Sequence, residues 1–96
     1  MKIAKVVGVA VSTVKEERLE GSKLLLVSEA DQTGKTVGKP FIAQDLVGVG
    51  PDELVFVVEG STARIAAGGN ETPVDAAIVG ILDSLQFDGK TTFKKM

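Results

Sequence analysis

Between residues 2 and 12 apolar positions fall on both faces of an extended chain. Ile3, Val7, Val9 and Val11 share one face with Lys5, while Ala4, Val6, Gly8 and Ala10 share the other. A strand of this kind has no ordinary solvent face and needs cover from a helix or another subunit. The polar stretch 13–22, with Lys15-Glu16-Glu17-Arg18 and Gly21, reads as a loop with Leu19 turned inward. Leu24, Leu25, Leu26 and Val27 mark a second strand, Lys23 to Glu29, and Asp31-Gln32-Thr33-Gly34 marks a turn. A third strand is expected over 40–46 around Phe41, Ile42 and Ala43, with Pro40 at its start or on an edge. After the loop Gly48-Val49-Gly50-Pro51-Asp52, a fourth strand runs from Glu53 to Glu59, where Leu54, Phe56 and Val58 alternate with Val55 and Val57.

The pattern then changes. Ser61 or Thr62 is placed to cap a short helix through Ala63 to Ala67, and Gly68-Gly69-Asn70 stops it. Thr72 caps a second helical turn with Pro73 at its first position. Beyond this point two readings stand. Val74, Ala77, Ile78, Ile81, Leu82 and Leu85 recur at helical spacing, which suits one amphipathic helix over 73–85. The β-branched Ile78, Val79 and Ile81, with Gly80 among them, suit a strand. Asp88-Gly89 signals a hairpin that returns the chain as a last strand, Thr91 to Lys94.

Composition adds bounds to this order. The 96 residues form one domain, 1–96, and a chain of this length buries only about 60–65% of its unfolded surface. Val, Ile and Thr supply 26 residues, which favours strands, and the aliphatic excess is expected at a subunit interface. A net charge of −2 and scattered basic residues argue against nucleic acid as a partner. No apolar run approaches the roughly 20 residues of a bilayer span, so no membrane partner is expected. The start carries no evident signal peptide and reads as the mature terminus.

Candidate chemistry is sparse. Without His or Cys, the usual general base and the best nucleophile are missing, and so are the commonest transition-metal ligands. No catalytic residue, cofactor site or metal site is assigned. Glu16-Glu17 and Asp52-Glu53 read as solvated charge. Ile42 stands where a calcium loop opening at Asp31 would need its closing Glu. Gly48-Val49-Gly50 and Gly68-Gly69 complete no phosphate-binding fingerprint, so turn chemistry explains them. Phe41 and Phe56 read as core, and Phe87 and Phe93 as a pair across the hairpin or cover for a neighbouring chain. Arg64, one of two arginines, is either a surface residue or a subunit contact, with Asp75 and Asp83 as acidic partners.

Five blocks carry a resemblance over almost the whole chain: Met1-Lys2-Ile3-Ala4-Lys5-Val6-Val7-Gly8, Leu19-Glu20-Gly21-Ser22-Lys23-Leu24-Leu25-Leu26-Val27, Val47-Gly48-Val49-Gly50-Pro51-Asp52-Glu53, Gly60-Ser61-Thr62-Ala63-Arg64, and Pro73 through Asp83. In this order they are similar to the EutN/CcmL family of pentameric vertex proteins of bacterial microcompartment shells. Val49 stands in place of the family's usual Ala, and Thr62 in place of Ser, which keeps a hydroxyl. The tail from Phe87 to Met96 is similar to that of the ethanolamine-utilisation members.

The resemblance implies a mainly β fold: a small closed five-stranded barrel resembling an oligonucleotide-binding fold, with one or two short helical turns and a C-terminal hairpin. It implies a helical turn at 73–76 and a strand from about 77 to 85. It further implies no enzyme but a cytoplasmic shell protein whose partners are itself, as a homo-pentamer, and hexameric shell proteins. The candidate subunit-interface or pore-proximal residues are Gly60, Ser61, Thr62, Ala63 and Arg64 from the first half of the signature, and Asp75, Val79 and Ile81 from the second. The other reading is a small oligonucleotide- or ligand-binding module of the same barrel type.

Overall fold

The structure is a computed structural model that describes residues 1–11, 23–69 and 73–95. Among the described residues seven strands and one helix follow one another: β1 (Lys2–Val9), β2 (Leu24–Ala30), β3 (Thr36–Asp45), β4 (Leu54–Glu59), α1 (Gly60–Ala67), β5 (Ala76–Ile81), β6 (Ser84–Phe87) and β7 (Lys90–Lys94). The first five strands close a barrel in the order β1-β2-β3-β5-β4, and β6 and β7 form a separate hairpin. The expected loop over 13–22, Asn70 and the cap at Thr72 lie outside the described residues.

The barrel interior is filled by the inward residues of every wall strand. Ala4, Val6, Leu25, Val27, Ala43, Val55, Val57, Ala76 and Ile78 are buried together, with Val49 closing one end. The outer wall is covered in two places. Helix α1 lays Ala63 on Val58 and Ala77, small residues that let the helix lie close to the strands. The hairpin lays Leu85 and Phe93 near Ile3, Leu54, Phe56 and Leu82. This explains the double apolar alternation of β4: Val55 and Val57 face inward, Leu54 and Phe56 face the hairpin, and Val58 faces α1.

Strand β1 shows how cover is shared. Its outer face is covered at Ile3 by the hairpin cluster and bare at Val7 and Val9, with Val11 also exposed beyond the strand end. A bulge at Val7 shifts the register to β2, since Val6 pairs with Val27 and Gly8 with Leu26.

Several boundaries differ from expectation for identifiable reasons. Strand β3 starts four residues early, so Pro40 lies inside it rather than at its start. Pro40 pairs with Ser28 of β2, while β5 joins β3 only at Gln44 and Asp45, leaving one side of Pro40 as an edge. The hydroxyls of Ser61 and Thr62 do not cap α1. Glu59 occupies the cap position without a side-chain bond, and the Gly60 N–H is taken by the Asp75 carbonyl at 2.9 Å. The helix stop is as expected, with the Gly69 N–H donating to the Arg64 carbonyl at 2.8 Å.

Residues 73–75 form no helical turn, and the strand expected over 77–85 is two strands broken at Leu82 and Asp83. Neither the long helix nor one long strand forms, because Ala76–Ile81 closes the barrel against β4 and β3 and Ser84 then starts the hairpin. Gly80 has a packing reason: a Cβ there would lie 3.2 Å from Phe56 Cδ2. At the hairpin turn Asp88 and Gly89 both take positive φ, 53° and 73°, as a two-residue turn of the I′ kind requires. Phe93 pairs with Leu85 rather than with Phe87, whose opposite residue is Lys90.

Candidate subunit interface

The two halves of the signature segment meet in space. Glu59 lies opposite Ala76 in the β4–β5 ladder, and the Gly60–Asp75 hydrogen bond extends that ladder by one step. Gly60 reaches this position with φ 62°, a conformation glycine adopts at little cost. Ser61 and Thr62 are exposed on the first turn of α1, Ala63 is buried beneath it, and Arg64 is half-buried. Among the described residues Arg64 makes no ion pair with Asp75 or Asp83. Asp75 is exposed just before β5.

Val79 and Ile81 separate. The β4–β5 register passes from Val57↔Ile78 to Phe56↔Gly80, so Val79 is an extra, bulged residue and points outward at 36% exposure. Ile81 packs against the barrel core. Leu46 donates its N–H to the carbonyl of Ile78, the residue before Val79, and Leu46, Val47 and Val79 are all exposed.

Among the described residues, two concave surfaces on the barrel differ in their lining. One, of about 290 Å³, lies along the end of β1 between Val7, Val9, Leu25 and Pro51, with Lys23 and Asp52 at its polar side. The other, of about 330 Å³, opens where β3 departs from β5, between Phe41, Ile42, Ala76, Glu59 and Asp75. They are built from different residues, which is what head-to-tail contact between identical copies requires.

The loop after β3 is held by a residue that the sequence reading passed over. The Asp45 side chain is only 1% exposed. Its Oδ1 accepts hydrogen bonds from the Val47 and Gly48 amides at 3.0 and 2.9 Å, and its Oδ2 accepts one from Val49 at 2.9 Å. Lys23 Nζ stands 3.7 Å away and also reaches the Val49 carbonyl. Burial pushes the Asp45 carboxyl up, but the amides of Gly48, Val47 and Val49 and the Lys23 charge outweigh it and hold it below the usual carboxylate value. The signal was present as an Asp three residues before the positive-φ Gly48. Further along, Glu53 accepts from the Gly50 amide at 2.8 Å and pairs with Lys95 at 2.7 Å, tying the loop to the end of the hairpin.

Among the described residues no group of three acidic side chains gathers to hold a metal ion. The aromatics form no stacking platform: Phe41, Phe56 and Phe93 pack against the two cores, and Phe87 stands apart at the hairpin tip.

The profile of the family described as "Ethanolamine utilisation protein EutN/carboxysome" matches residues 1–83. The chain belongs to the EutN/CcmL family. Its relatives include the carboxysome shell vertex protein CcmL of Synechococcus elongatus, 41% identical over 95 residues that cover 99% of this chain and 96% of that protein. A solved ethanolamine utilization protein, EutN, superposes with TM-score 0.91 at 38% identity, covering 100% of both chains. The GrpN pentameric microcompartment shell protein of Rhodospirillum rubrum superposes with TM-score 0.81 at 39% identity, covering 91% of this chain and 100% of that one. The family profile spans the barrel and ends at Asp83, immediately before β6, whereas the similarity to CcmL and to the solved EutN runs on through the hairpin.

Proposed function

We propose that this chain is a structural vertex protein of a bacterial microcompartment shell in the cytoplasm. Five copies close a ring, and the ring fills the five-fold positions of a polyhedral shell otherwise tiled by hexameric shell proteins. The observation that carries this reading is similarity over nearly the full length to a carboxysome shell vertex protein. The barrel supports it physically. Val7, Val9, Leu46, Val47 and Val79 are exposed on a domain whose interior is already closed, so their burial falls to a neighbouring copy. Gly60, Ser61, Thr62, Arg64 and Asp75 belong to the proposed contact zone, while Ala63, fully buried against Val58 and Ala77, seats the helix that carries them.

The work of such a protein is geometric. A sheet tiled only by six-fold units stays flat, and five-fold units supply the curvature that closes it. Binding free energy between copies takes the place of turnover, and no cofactor enters. Electron microscopy of shells produced with and without this chain tests the role. Closed polyhedra are expected with it and elongated or open shells without it. Closed polyhedra in its absence, with no incorporation when it is present, would overturn the reading.

A further inference from the structure

The hairpin presents a surface that its own chain does not use. Leu85 and Phe87 lie on the same face of β6, two residues apart. Leu85 packs on the barrel wall beside Phe93, whereas Phe87 carries that face past the wall and remains 53% exposed. Lys90 sits directly opposite Phe87 across the turn, so one face of the tip shows an aromatic ring beside an ammonium group. Among the described residues Lys90 has no ion-pair partner.

The cleft where β3 departs from β5 has the complementary character. It is lined by Phe41, Ile42, Ala76, Glu59 and Asp75, and its volume is about 330 Å³. Glu59 is engaged by Lys2 at 3.1 Å, but Asp75 has no ion-pair partner among the described residues. Lys2 Nζ also stands 5.2 Å from the centre of the Phe41 ring, so the acid left for a lysine that flanks an incoming aromatic residue is Asp75.

We propose that the hairpin tip of one copy docks in this cleft on the next copy, with Phe87 over Ile42 and Lys90 against Asp75. The inference rests on the ring reading above and adds a clasp to it. The clasp adds contacts made by the hairpin to a ring formed through the barrel.

The chain has no native cysteine, so engineered pairs report cleanly. The paired substitutions Phe87→Cys and Ile42→Cys, made in one chain, are expected to give interchain disulfides on mild oxidation and a denaturing-gel ladder up to five chains. Each single variant gives no ladder. Lys90→Glu and Asp75→Lys are each expected to raise the concentration at which the ring dissociates by roughly tenfold, with the two together restoring it. All four positions are exposed, so the fold is retained. A five-membered ring in native mass spectrometry with no ladder and no charge-swap rescue would overturn the clasp and leave the ring reading intact. A chain that stays monomeric would overturn both.

Discussion

Replacing Asp45 with alanine removes the acceptor for three main-chain amides in one step. A hydrogen bond to a charged group contributes about 1.5–3 kcal/mol, but the three contributions do not simply add here. Val47 and Gly48 are exposed, so water can take over their amides once the carboxylate is gone. Val49 is buried, and leaving its N–H without an acceptor costs about 1–3 kcal/mol. With some loosening of the other two, Asp45→Ala is expected to cost about 2–4 kcal/mol. For a domain of this size each kcal/mol moves Tm by about 4–8 °C, so the variant should melt at least about 8 °C below the parent. The scan is run at fixed chain concentration, because assembly itself stabilises the folded chain.

Asp45→Asn should fall between the two. It keeps one oxygen for two of the amides but turns an NH2 group toward a third donor. A pH series adds a signed test. The folded Asp45 carboxyl lies below its unfolded value, so its contribution is present in full above that value, about pH 4, and is lost as pH falls through the folded pKa. The stability gap between parent and Asp45→Asn should therefore narrow in acid. An Asp45→Ala melt within about 2 °C of the parent, or a gap that stays constant down to pH 2, would refute the reasoning.

Other substitutions test separate parts of the account. Gly60→Ala forces a Cβ onto a residue at φ 62° with no neighbouring atom within 4 Å, so urea unfolding should show a loss of about 1 kcal/mol, with Gly60→Asn losing less. Ala63→Leu overpacks the fully buried seam between α1, Val58 and Ala77 and should cost about 1–3 kcal/mol in the same assay. Val79→Asp should leave the circular dichroism of the folded barrel unchanged while abolishing the ring in native mass spectrometry. Ile81→Asp should lose the fold itself, because that side chain packs on the barrel core.

The contrast between Val79 and Ile81 marks how far the sequence was legible. Alternation in β4 and the turn residues at Asp31-Gln32-Thr33-Gly34 and Asp88-Gly89 are local signals, and the structure realises them locally. The segment 73–85 was ambiguous because helical spacing and β-branched content disagree there. What decided it is long-range: pairing with β4 and β3 closes the barrel, and no window of sequence contains those partners. The outward turn of Val79 needs a bulge, and a bulge is fixed by the register of two strands together. Ser61 and Thr62 looked like caps because hydroxyls at a helix start usually are. The helix starts earlier, at Gly60, so both hydroxyls fall inside its first turn, and the Gly60 amide donates to the Asp75 carbonyl. Within the candidate interface, the sequence offered Asp75 and Asp83 as partners of Arg64, whereas the structure joins Asp75 to Gly60 through the main chain, and the clasp residues Phe87 and Lys90 became visible only once the hairpin register was known.

The central claim is that these barrels close in fives. Native mass spectrometry of the purified chain at micromolar concentration tests it most directly. A dominant species at five times the chain mass is expected, converted to single chains by Val79→Asp. A stable monomer of the parent chain at that concentration would contradict it.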